Sequence, residues 1–164
     1  MKKVEYDDFW LRIDSRNMGF LFEQCDTAMR DLYGIDIDIK NFLTTFMNSD
    51  VRKKMEAGNP RLLSQSYIDT IECFIEVDCN GDYEQFKLTS DSTNPNYFPL
   101  ERMWIGRMYV KIAYRFELCS AEVIKLLPLH EMRDHYLIGH EISEEAYLDS
   151  IRSILVVSKD VKTW

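Results

Sequence analysis

The residues from Leu100 to Leu118 constrain this chain more than any other stretch, because their side chains sort by chemistry when projected onto a helix at about 100° per residue. Ile105, Met108, Tyr109, Ile112, Ala113 and Phe116 share one side, and Arg107, Lys111 and Arg115 line the other. A helix of this kind must bury its apolar face against further elements, so the expected setting is a core of packed helices.

The rest of the chain supplies them. From Asn17 to Tyr33 the residues Met18, Leu21, Phe22, Cys25, Met29, Leu32 and Tyr33 recur at helical spacing, and Gly34 provides a stop. Phe42, Leu43, Phe46 and Met47 form a second, shorter stripe. A third helix is expected from Ser49, a good N-cap, to Ala57, before Gly58-Asn59-Pro60. Residues 64–88 carry two signals. Ile71, Cys73, Ile75 and Val77 alternate like a strand ahead of an Asn80-Gly81 turn, whereas Ile68, Ile71, Phe74 and Ile75 fit a helical face. A helix ending near Val77 is favoured, with a small β-ribbon around 71–89 as the alternative. The polar, proline-bearing stretch at about 89–99 reads as a surface loop. Beyond it, Ser120 is expected to cap a helix to Leu127, Pro128 to open another that Gly139 ends, and Ser143 to cap the last. The fold class is therefore mainly α, a helical bundle of about six to seven helices in a single domain spanning 1–164.

Composition agrees with one domain: 164 residues, 46% hydrophobic and 13% aromatic, are enough for one substantial core. The formal charge of −8 repels phosphate backbones and anionic membranes, so nucleic acid is a disfavoured partner. The longest apolar runs, such as Ile154–Val157, fall far short of the roughly 20 residues of a membrane helix. Met1-Lys2-Lys3 gives way at once to Glu5, Asp7 and Asp8 with no apolar segment behind the lysines. Cys25, Cys73, Cys79 and Cys119 are scattered without a paired spacing, as reduced thiols would be. The expected location is the cytoplasm.

Two constellations could carry function. The basic stripe Arg107, Lys111 and Arg115, with Trp104 at its edge, could grip an acidic partner or a phosphate-bearing ligand, or be neutralised internally by acids such as Asp26, Asp31, Glu72 or Glu76. His130, His135 and His140 cluster, yet steps of five turn a helix by about 140° each and keep the three rings off one face. No metal site or cofactor is expected. A pocket built from Trp104, Tyr109, Tyr136, His140 and Glu141 is the enzymatic alternative, with His140 as base and Glu141 orienting it. Phe116–Leu137 has the outline of a helix-turn-helix, but Glu117, Glu122, Glu131 and Asp134 offset Lys125 and Arg133.

Three segments resemble a family of small bacterial proteins without an assigned activity. Glu56-Ala57-Gly58-Asn59-Pro60-Arg61 followed by Ser64 is similar to its acidic-x-GNP-basic turn. Trp104-Ile105-Gly106 with Tyr109 and Tyr114, then Ser120 and Ile124, resembles its W-x-G helix and the segment after it. Leu127-Pro128, Met132, Tyr136 and His140-Glu141 look like its LP…HE ending. The chain departs from that pattern at Arg107 and Phe116. Relatives occur beside short partner proteins and ADP-ribosyltransferase-like proteins, so the resemblance implies an accessory, antitoxin-like or defence-associated role.

The leading expectation is a non-enzymatic module that binds a protein partner. The enzymatic or ligand-binding pocket is the second reading, and an acidic mimic of nucleic acid the third.

Overall fold

The computed structural model describes residues 4–92 and 98–162, with side chains to Leu155. Its described residues form nine α-helices: α1 Asp8–Tyr33, α2 Ile39–Met47, α3 Asp50–Glu56, α4 Pro60–Leu63, α5 Tyr67–Val77, α6 Pro99–Arg115, α7 Ser120–Leu126, α8 Leu129–Gly139 and α9 Glu144–Lys162. A 3-10 turn occupies Tyr83–Phe86. The chain is all-helical as expected, with more and shorter helices than six or seven. Residues 93–97 of the expected surface loop lie outside the described residues.

Local chemistry sets most of the helix ends. Asp7, Asp38, Ser49, Asn59, Ser66 and Ser143 each accept a backbone N–H of the following first turn, satisfying donors that the helix itself leaves unpaired. Gly34 closes α1 at φ 71°, a left-handed conformation that costs glycine little.

Three expectations are corrected. α1 begins at Asp8 rather than Asn17, because its buried face continues backward through Asp14 and Ser15, where hydrophobic spacing gives no signal. No β-ribbon forms among the described residues beyond one isolated bridge, Ile37 to Lys87. Ile71, Phe74 and Ile75 are buried at helical spacing, while Val77, which strand alternation would bury, is 50% exposed. The Asn80-Gly81 turn exists, with φ of 52° and 79°, but its Gly81 N–H returns to Ile75 O at the end of α5 instead of joining two strands. Ser120 is the first residue of α7, not its cap; Cys119 takes that place. α8 ends at Gly139 as expected, closed by a right-handed cap at His140 rather than by a left-handed glycine.

α1 and α6 form the centre and run antiparallel: Arg102 near the start of α6 bonds Asp26, and Tyr114 near its end bonds Asp8. Their backbones approach closely. A Cβ on Gly106 would lie 2.5 Å from Met18 O, and one on Gly19 would lie 2.7 Å from Arg107 Cγ. A second focus of packing is the edge-to-face group Phe42, Phe46, Phe74 and Phe86, which ties α2 and α5 to the 3-10 turn.

Candidate functional site

Ile105, Met108, Tyr109, Ile112 and Ala113 of α6 are buried as the helical projection requires. Phe116 packs against the same core from the C-cap position and is partly buried. Tyr109 belongs wholly to this architecture. Its hydroxyl donates to Leu127 O at 2.6 Å, and its ring meets Phe22 edge-on.

The opposite face of α6 is the floor of a cleft of about 750 Å³. α1 contributes Leu11, Arg12, Arg16 and Phe20 to one wall, and α9 contributes Glu144, Glu145 and Leu148 to the other. The basic stripe is thus neither simply solvated nor neutralised by the acids named from sequence. Arg107 bonds Glu144 at 3.3 Å, Lys111 bonds the other oxygen of Glu144, and Arg115 reaches Glu145 at 2.8 Å and Asp149 at 3.1 Å. Asp26 instead pairs with Arg102. The hydrogen bond to Glu145 raises the pKa of Arg115, so its charge is secure. These pairs join the basic stripe of α6 to the first turns of α9.

Arg12 and Arg16 have no ion pair among the described residues, and both are exposed. They stand one turn apart on α1, among Phe9, 54% exposed, Ile13, and Phe20, 39% exposed. This face does not stand out in the sequence as a site. Its legible signal is the interleaving of apolar residues with arginines at positions 9, 12, 13, 16 and 20, the spacing of one helical side.

Trp104, Tyr136 and His140 are brought together, in series. Trp104 meets Tyr136 edge-on at 5.7 Å, and Tyr136 stacks on His140 at 4.2 Å. Trp104 also lies over Gly139, where a Cβ would come within 2.7 Å of the indole, and against Tyr147. The close approach is the reason for glycine there. His140 Nδ1 bonds Tyr136 O at the end of α8, and both His140 and Glu141 are exposed. No hydrogen bond joins His140 to Glu141 among the described residues, and neither lines the cleft. His135 takes a different position, bonded to the Tyr147 hydroxyl at 3.0 Å. Among the described residues no group of three or more His, Cys, Asp or Glu side chains could hold a metal ion.

A buried charge network joins α1, α3 and α7. Arg52 is fully buried and makes two bonds of 2.8 Å to Asp14, with a third of 3.0 Å from Nε to Ser120 Oγ. Tyr6 donates to the same Asp14 carboxylate. Burial, reinforced by the neighbouring Asp14 charge, pushes the Tyr6 pKa well up and keeps the phenol neutral. Burial by itself would lower the Arg52 pKa, but Asp14 and Glu56 more than offset it. Glu56 accepts the Ser120 N–H at 2.9 Å, and burial pushes its carboxyl pKa up against the opposing pull of Arg52.

No family model, curated protein or solved structure matches this chain. Fold and site together define an all-helical protein with an apolar cleft edged by cations. None of its described helices is long and apolar enough to cross a membrane.

Proposed function

We propose that the protein is a non-enzymatic interaction module that receives a segment of a protein partner in the cleft between α1, α6 and α9. The observation that carries this reading is the pairing of Arg12 and Arg16, exposed and without ion pairs among the described residues, with the exposed aromatic rings Phe9 and Phe20. Arginine and aromatic side chains are enriched at protein interfaces, and uncompensated cations in a chain of charge −8 give that face its own electrostatic direction. The resemblance of the Glu56–Arg61, Trp104–Gly106 and Leu127–Glu141 segments supports an antitoxin-like or defence-associated accessory role.

The test is affinity capture from the native host with the wild-type chain and the double variant Arg12→Glu/Arg16→Glu, followed by mass spectrometry. A protein retained by the wild type and lost with the variant is expected. Recovery of no specific protein by the wild type overturns the reading.

A further inference from the structure

Resting on that interaction reading, we infer that the occupant of the cleft is an acidic amphipathic helix of the partner. The trough is itself made of helices: α6 is its floor, α1 lies antiparallel along one side and the first turns of α9 close the other. Walls of that kind accept a further helix whose side-chain ridges settle between theirs. From Arg107 to Arg115 the floor extends about 12 Å, roughly two helical turns.

The chemistry of recognition is already displayed within the chain. α9 presents Glu144, Glu145 and Asp149 to the cations of α6, while Leu148 from the same stretch lines the cleft. It is an acidic amphipathic helix engaging one set of cations. The opposite wall offers a second set. Arg12 and Arg16 are spaced about 6 Å along α1, within reach of carboxylates three or four residues apart on a facing helix. Leu11 and Met103 offer apolar surface between the two sets, and Phe20 continues it along the α1 wall. A nucleic-acid strand fits less well, since the apolar surface of the lining gives a phosphate nothing to bury.

The probe is a labelled synthetic peptide of residues 142–155 of this chain, titrated into the full-length protein and followed by fluorescence anisotropy. Saturable binding is expected, weakened at least about tenfold by Arg12→Glu/Arg16→Glu in the protein or by Glu144→Lys/Glu145→Lys in the peptide. A polyglutamate peptide of equal length, which has charge but no apolar face, is expected to bind at least about tenfold more weakly. Equal binding of polyglutamate, or of a single-stranded oligonucleotide, overturns the helical occupant in favour of a general polyanion site. A concentration-dependent dimer abolished by Arg12→Glu/Arg16→Glu assigns the cleft to α9 of a second copy and overturns the foreign partner. Failure of the peptide to bind, with partner capture still lost in the variant, overturns the acidic helix and leaves the interaction module standing; loss of both removes both. Circular dichroism of the variant, whose two arginines are exposed, confirms that it folds.

Discussion

Glu56 and Ser120, 64 residues apart in sequence, meet in the interior: the carboxylate at the end of α3 accepts the backbone N–H that opens α7. The meaning of the contact is electrostatic. Glu56 supplies negative charge at the start of α7, and it shares Arg52 with Asp14.

Because burial raises the native pKa of Glu56 above its ordinary value of 4.5, its contribution to stability is complete below that value. The contribution declines as pH rises through the native pKa, since ionisation then costs more in the folded than in the unfolded chain. Glu56→Gln keeps an acceptor for Ser120 and removes this decline. Urea unfolding across the acidic to neutral range is expected to show a wild-type-minus-variant difference that falls with rising pH, with the variant within about 1 kcal/mol at neutrality. A constant difference across that range would count against the assignment.

Asp14 and Arg52 depend on each other, since neither has another partner of opposite charge as close. Removing one member of a buried ion pair strands the other, and Arg52→Met or Asp14→Leu is expected to cost about 3–5 kcal/mol. The double variant Arg52→Met/Asp14→Leu is expected to recover much of that loss. Chemical denaturation of the three variants tests the coupling, and simple additivity would refute it.

Gly106→Ala places a methyl group 2.5 Å from Met18 O, a backbone atom that moves only if α1 moves. A loss of about 1–3 kcal/mol is expected. Gly19→Ala meets a flexible Arg107 side chain and is expected to cost less. Thermal unfolding of the pair ranks them, and equal losses would mean that the α1–α6 approach is not the limiting contact.

Glu141 is exposed with no side-chain hydrogen bond among those described, so Glu141→Gln is expected to change stability by no more than about 0.5 kcal/mol. His140→Ala loses a ring stacked on Tyr136 and the bond to Tyr136 O, an expected cost of about 1 kcal/mol or less. Neither is expected to impair partner capture. Abolished capture in either variant, with the fold intact by circular dichroism, would move the functional site to the end of α8.

Much of the helical frame was legible because its signals act over a few residues. Ser49, Ser143 and Gly34 place ends by capping and by backbone conformation, and the apolar side of α6 announces itself by spacing. The start of α1 was not legible, since buried Asp14 looks polar until Arg52 is seen beside it. The candidate site was legible by half. The cations of α6 stood out in the sequence, while the facing Arg12 and Arg16 did not, because nothing local tells which helix will lie opposite.

The sequence by itself determined that this protein is helical, where most helices begin and end, and which side of α6 turns inward. Only the tertiary structure decided that Glu144, Glu145 and Asp149 neutralise the basic stripe, that Gly106 and Gly139 serve close approach, and that α1 and α9 enclose a cleft. The physical reason is range. Capping and backbone preference are settled within one turn, whereas ion pairing and the burial of charge depend on which faces meet, here across 30 to 37 residues for the pairs between α6 and α9.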